Sequence, residues 1–395
     1  MFSKRTNWNF SENKLSLLLK SLKHKGETVI DLSESNPTHC HFKYATDLDL
    51  LSPLTHPANL NYQPSPNGKK EARQAIGAYY RKKGVEVDSE RIFLTASTSE
   101  AYTYIFRLLS DPKDRVMIPR PSYPLFNFIA DLNDIALDPY SIRYEQNQWR
   151  IHSDELTSSI HPNTKALILV HPNNPTGSFL KINEAAELIR IAQLKSLALI
   201  SDEVFSDYGF QNDPQRKISF SETQEVLTFT LGGISKLLGL PQMKLSWMVL
   251  SGPEKIVSQA LARLEIIADT YLSVNTPAQE ALRNWFGHQE KIQQEIKDRI
   301  LQNQSWLEKK ILGQSRVSYL KSEGGWYTIL KLPDVKTEEE WILEFLEQDR
   351  VLVHPGYFFD FEEEAYIVLS LLPECAQFQE GCNRILSRIK STSSL

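Results

Sequence analysis

The chain has 395 residues and a formal net charge of −5, which argues against a nucleic-acid-binding surface, since such surfaces carry a basic patch or stripe. Hydrophobic residues at 41% and charged residues at 24% are close to ordinary globular composition and exclude a disordered or fibrous chain. Cysteine occurs only at Cys40, Cys375 and Cys382, an odd number without zinc-ligand spacing, so neither a disulfide framework nor a metal site is expected, and a cytoplasmic compartment fits.

In chain order, Met1–Phe10 is polar, with Lys4 and Arg5 followed by no apolar run, and no signal peptide is expected. No apolar stretch approaches the roughly 18 residues of a bilayer span, so no membrane partner is expected. At about 150 residues per domain the length sets a prior of two to three domains. Arg91–Thr95 reads as the first buried strand, and a helix begins at Glu100. Val116–Ile118, Ala166–Val170, Leu197–Ser201 and Val226–Leu231 are short runs rich in Val, Ile and Leu, each followed by polar or turn residues. Such runs suit strands buried on both faces of a parallel sheet. Helical patterns at Glu100–Leu109 and Asn183–Gln193 lie between them, giving the alternation of an α/β layer architecture. Gln289–Leu312 then reads as a long helix, and Trp326–Leu330, Val351–His354 and Tyr366–Leu371 as short strands of a second, smaller α+β domain.

Ligands of open α/β sheets sit at the carboxyl ends of the strands, so the residues that end each strand are the candidate site. The first strand ends in Ala96-Ser97-Thr98-Ser99, three hydroxyls and free backbone N–H groups at a helix start, which suit a phosphate and equally an ordinary N-cap. The second ends in Pro119-Arg120-Pro121-Ser122-Tyr123-Pro124, where prolines on either side hold Tyr123 as a flat platform. His171-Pro172-Asn173-Asn174-Pro175-Thr176-Gly177 offers a fixed amide at Asn174. Asp202 ends an apolar strand, where a buried carboxylate needs a cationic partner. Finally, Gly232-Gly233-Ile234-Ser235-Lys236 places small residues beside a lysine, and desolvation there lowers the ammonium pKa toward a nucleophilic amine.

Asn174-Pro175-Thr176-Gly177, Asp202-Glu203 and Ser235-Lys236, in that order, resemble the motifs of class I/II aminotransferases of the pyridoxal-phosphate fold type I, the aspartate-aminotransferase-like superfamily. The resemblance runs over nearly the whole chain. It implies a large domain over residues 46–290, with a mostly parallel seven-stranded sheet flanked by helices, and a small α+β domain from residues 1–45 and 291–395. It implies pyridoxal 5′-phosphate as cofactor and transfer of an amino group between an amino acid and a 2-oxo acid. A β-lyase or related carbanion enzyme on the same fold is the alternative, and a non-catalytic binding protein needs no such lysine.

Residue by residue, Lys236 matches the family's Schiff-base lysine and Asp202 the carboxylate that pairs with the pyridine nitrogen. Asn174 matches the amide on the ring 3′ oxygen and Tyr123 the stacked aromatic. Ser97, Thr98 and Ser99 match the phosphate turn, with Ser235 as a further hydroxyl. Tyr62 resembles the tyrosine that reaches the phosphate across a homodimer interface. Ser35 and Asn36 lie in a stretch resembling the loop that closes over the substrate, and Tyr327 and His354 fall in motifs at the substrate mouth.

Four positions depart from the family pattern. Lys244 stands for a phosphate-binding arginine, keeping the charge without the bidentate fork. Phe205 replaces a tyrosine that donates to the 3′ oxygen, and Gly233 a serine that helps hold the phosphate. Val368, in Tyr366-Ile367-Val368-Leu369-Ser370, stands where the family has the arginine that pairs the substrate α-carboxylate. Either another cation replaces it, with Arg120 the leading candidate, or the substrate is not held by an α-carboxylate.

Overall fold

The computed structural model describes residues 1–272, 274–313, 316–363 and 365–392. After the two-residue strand β1 (Ile30–Asp31), eight strands build the main sheet: β2 (Ile92–Thr95), β3 (Arg115–Arg120), β4 (Ala136–Glu145), β5 (Gln148–Ile151), β6 (Thr164–Val170), β7 (Ala198–Asp202), β8 (Thr228–Gly233) and β9 (Ser246–Ser251). Their spatial order is β2-β9-β8-β7-β6-β3-β4-β5. β9 runs antiparallel to both neighbours and β5 antiparallel to β4, while the remaining pairs are parallel.

Side chains alternate across this sheet as the strand repeat of two requires. Ile168 and Ile200 face one layer, packed with the helices Thr98–Leu109 and Glu254–Tyr271. Leu167, Leu169 and Leu199 face the other, packed with the helix Ile182–Lys195. Burial on both faces accounts for the unbroken apolar runs seen in sequence.

The sheet has one strand more than the seven expected, because β4 and β5 form a hairpin at the sheet edge. Its two turn residues, Gln146 and Asn147, both have positive φ (51° and 62°). Two-residue hairpins require that geometry, but the usual Asn-Gly or Asp-Gly signal is missing here. The half-exposed alternation of β5 gives no apolar run either.

The second sheet follows the 23-residue helix Gln289–Ile311. It comprises β10 (Ser318–Leu320), β11 (Tyr327–Lys331), β13 (His354–Pro355) and β14 (Tyr366–Ser370), antiparallel in the order β10-β11-β14-β13, while β12 (Val351–Leu352) pairs in parallel with β1. Trp285, Trp326 and Trp341 lie fully buried in the hydrophobic cluster that contains this sheet. The first residues reach the main sheet's flank: Arg5 pairs with Asp134, and the Trp8 indole N–H donates to Asp131 at 2.8 Å. Among the described residues no helix is long and apolar enough to cross a membrane.

Candidate active site

Because β2, β3, β6, β7 and β8 point the same way, their carboxyl ends gather at one edge, where the strand-terminal residues meet. Asp202 ends β7 and is only 9% exposed. One carboxylate oxygen accepts the Tyr102 hydroxyl at 3.1 Å and the other the backbone N–H of Val204 at 3.2 Å. Burial pushes the Asp202 pKa up to about 6, against the pull of those donors and of the Lys236 charge.

Lys236 sits in the short helix Ile234–Leu237 that β8 runs into. Its amine lies 5.0 Å from the centre of the Trp326 ring and 5.6 Å from that of Phe205. Burial against these rings pulls its pKa down to about 8, with the Asp202 charge opposing. The backbone carbonyl of Lys236 accepts the Tyr208 hydroxyl at 2.8 Å, so Tyr208 fixes the main chain that carries the amine.

The loops after β3 and β6 hold each other. The Asn173 side-chain amide donates to the Pro121 carbonyl at 3.2 Å and its oxygen accepts the Thr176 hydroxyl at 2.9 Å. This tie sets Tyr123 beside Asp202, and burial, with the Asp202 charge adding to it, raises the tyrosine's pKa. The Tyr123 ring keeps 44% of its surface open. The adjoining Asn174 has a buried side-chain oxygen with no partner among the described residues. At the end of β2, Ser97 caps the helix by accepting the Glu100 N–H at 3.1 Å, leaving Thr98 and Ser99 in the first turn, where backbone N–H groups lack intrahelical partners.

A side chain at Gly233 would come within 2.4 Å of the Ser246 hydroxyl, which projects from the paired position on β9. The neighbouring strand therefore places a hydroxyl against position 233. Phe205 is buried edge-on against Trp326, and Ser235 is half-buried beside Lys236. Lys244 is exposed, with a positive φ just ahead of β9.

The small sheet forms the facing wall. Tyr327 is buried with the Ser35 side chain near its hydroxyl, while Asn36 caps the turn Pro37–His39 with its side-chain oxygen. In the sheet register Ile329, Val368 and His354 stand side by side, on the same face as Tyr327 two residues along β11. Val368 is fully buried. Arg120 points from the end of β3 to Asp360, with a 2.7 Å ion pair. Tyr62 is 75% exposed and lines a separate surface hollow with Ser65, Lys69, Asp269 and Leu272.

The structure thus gathers Asp202, Lys236, Tyr123, Asn174, Phe205 and the 97–99 turn at one edge, with the Ser35–Tyr327 wall opposite, and leaves Tyr62 outside. Sequence reasoning missed Tyr102, Tyr208 and Ser246. Tyr102 carries a readable signal, lying one helical turn after Thr98 on the face that packs on the sheet. Ser246 carried none, since its relevance depends on strand pairing.

The donor set suits a phosphorylated pyridine aldehyde. A desolvated amine without a hydrogen-bond partner among the described residues and a buried acid each lack the complement that such a group brings.

The profile of the aminotransferase class I and II family matches residues 27–385. The glutamate-pyruvate aminotransferase AlaA of Haemophilus influenzae is 26% identical over 374 residues, covering 92% of this chain and 91% of that protein. The alanine aminotransferase of Mycobacterium tuberculosis is likewise 26% identical, covering 89% and 83%. Among solved structures, the alanine aminotransferase of Pyrococcus furiosus superposes with a TM-score of 0.89 at 24% identity, covering 99% of this chain and all of that one. At that identity the superposition speaks for the fold alone.

Proposed function

The chain belongs to the class I and II aminotransferase family, and from that premise we propose how its residues divide the work. The protein is a pyridoxal-phosphate-dependent aminotransferase, and nothing observed favours the lyase alternative. The cofactor, when bound, supplies an electrophilic carbon and a ring that withdraws electrons from the carbon bearing the amino group.

Lys236 is the attachment and proton-carrying residue. Its lowered pKa leaves about a tenth as free amine at pH 7, the form able to attack a carbonyl or accept a proton. Asp202 faces the ring nitrogen and holds its proton, exchanging a costly solitary charge for a paired one. Asn174 orients the ring through its 3′ oxygen and Tyr123 covers one face. The first-turn N–H groups at Thr98 and Ser99, with the hydroxyls of Ser97, Ser235 and Ser246 and the charge of Lys244, grip the phosphate. Tyr208 positions Lys236 through its carbonyl, and Tyr327, Ser35, Asn36 and His354 border the substrate.

The proposal extends to a homodimer in which Tyr62, free of its own chain's site, serves the partner's phosphate. It also includes division into residues 46–290 and 1–45 with 291–395, and a cytoplasmic location, for which three free cysteines speak. A relative acting on glutamate and pyruvate supports small amino and 2-oxo acids as the reaction class.

The observation that carries this reading is the unpartnered, desolvated Lys236 amine set across from the buried Asp202. Borohydride reduction of the cofactor-loaded enzyme, followed by peptide mapping, should place the label on Lys236. Addition of an amine substrate without an acceptor should convert the visible absorbance to that of the pyridoxamine form. A label elsewhere rejects the lysine assignment, and release of ammonia in place of that conversion favours elimination.

A further inference from the structure

From the side chains packed behind Lys236, we infer that Gln293 and Tyr44 are positioning residues. Together with Tyr208 they aim the Lys236 amine by gripping the carbonyls of the turn that carries it. The inference rests on Lys236 being the residue that binds the cofactor and carries the proton, and concerns what holds it in place. The helix Ile234–Leu237 is a single turn. The N–H groups that follow it return to the carbonyls of Ile234 and Lys236, at 3.0 Å from Leu238 and 3.3 Å from Gly239. Carbonyls at a helix end have no intrahelical donor, and so short a turn is not stable by itself. Leu237 and Leu238 are buried, so a carbonyl left bare here loses its hydration without replacement.

Three buried side chains from separate parts of the sequence supply the donors. The Tyr208 hydroxyl donates to the Lys236 carbonyl at 2.8 Å, the Gln293 amide to that of Leu237 at 3.2 Å, and the Tyr44 hydroxyl to that of Gly239 at 2.9 Å. Gly239 has a φ of +60°, and a side chain there would collide with the Tyr44 hydroxyl. The glycine thus gives both the bend and the room for the grip. Gln293 lies on the long helix Gln289–Ile311, in line with the buried Ile296 and Ile300. An amide in that apolar stripe is costly unless its hydrogen bond is made. Tyr44 is tied to the same helix, because its backbone N–H donates to the Glu295 carboxylate at 2.9 Å. One helix therefore governs two of the three grips. With a donor removed the turn is free to shift, and a displacement of about 1 Å slows a chemical step by as much as about a hundredfold.

Tyr44→Phe and Gln293→Leu each remove one donor and keep the shape, and Tyr140→Phe is the matched control. Tyr140 is as buried as Tyr44, each 4% exposed, and its hydroxyl donates at 2.8 Å to the Ile168 carbonyl within the main sheet. Pyridoxal 5′-phosphate added to the cofactor-free proteins should bring up the visible absorbance as the Lys236 amine adds to the aldehyde carbon with loss of water. At saturating cofactor the rate of that rise should fall about tenfold or more in Y44F and Q293L, and stay within about twofold of native in Y140F. The half-saturating cofactor concentration should change by less than about twofold throughout, because the groups that contact ring and phosphate are untouched. Conversion of the loaded enzyme to the pyridoxamine form by L-alanine should slow likewise in Y44F and Q293L. Y44F and Q293L rising at the Y140F rate overturn the inference, and so does a loss confined to cofactor affinity. Should one variant not fold, the other decides against the control. A native enzyme that gains the visible band but is not converted by L-alanine or L-glutamate counts against amino-group transfer, and the rate of the rise still decides the grip. A native protein that never gains the band rejects the Lys236 assignment, and the inference with it.

Discussion

Asp202→Asn separates the demands of folding from those of cofactor binding, because the same carboxylate weakens one and serves the other. The Asp202 pKa is raised from 3.8 to about 6 by burial. At about 1.4 kcal/mol per unit, a shift of roughly two units amounts to about 3 kcal/mol of destabilisation once the group is ionised in both states. The sign follows from proton counts. Below pH 3.8 the carboxyl is protonated folded or unfolded and costs nothing. Between about 4 and 6 the unfolded chain releases the proton first, so stability falls as pH rises, and above 6 the full penalty applies. Asparagine keeps the shape, an acceptor for the Val204 N–H and a group to meet the Tyr102 hydroxyl. The attraction of the Lys236 charge is already contained in that pKa, so the net gain of the variant stays at about 3 kcal/mol.

Urea unfolding of the cofactor-free proteins should therefore show D202N more stable than the native chain at pH 8, by a margin at least about 1 kcal/mol larger than at pH 5. Saturating cofactor should reverse the ranking, since the variant cannot accept the ring nitrogen's proton as an anion. Its cofactor affinity should fall about tenfold to a hundredfold, the range for a lost charge-assisted hydrogen bond. A native apo-protein at least as stable as D202N at pH 8, or a margin that does not grow with pH, would refute the assignment of Asp202 as a strained, solitary acid.

Phe205→Tyr restores a hydroxyl near the cofactor's 3′ oxygen. The pH midpoint of the visible absorbance of the loaded enzyme should drop by about one unit, as an added donor favours the unprotonated form. An unchanged midpoint would mean that position 205 does not face that oxygen. Gly177→Ala meets two obstacles, a φ of +68° and a β-carbon 2.2 Å from the Gly324 carbonyl oxygen. It should cost more than about 2 kcal/mol in denaturant unfolding and loosen the Asn174 loop, seen as faster cofactor loss. Tyr62→Ala should speed cofactor dissociation from the dimer while leaving the Lys236 label with borohydride intact. Undiminished retention in a protein that sediments as a monomer would count against the shared site.

Much of the architecture was legible because burial on both faces writes itself into composition. β6, β7 and β8 are mostly apolar runs buried on both faces, and Asp202 ends β7 while Asn174 and Lys236 follow within four residues of the ends of β6 and β8. Asp202, Lys236 and Asn174 could be singled out in this way, since a charge or amide at the end of an apolar run is costly without a purpose. The motif order then brought the family into view before any contact was known. What stayed hidden depends on pairing between distant segments. The β4–β5 hairpin turns on positive-φ residues without the usual signal. The Ser246 hydroxyl lies against position 233 only because β8 and β9 lie in that register.

Val368 shows the division most plainly. The sequence by itself determined that the position expected to hold a cation is aliphatic, because that is a matter of residue identity. Where the Arg120 guanidinium points was decided only by the fold, which carries Asp360 from 240 residues away to within 2.7 Å of it. Charge pairing is set by distances in space, and spacing along the chain does not encode them until the two sheets have packed.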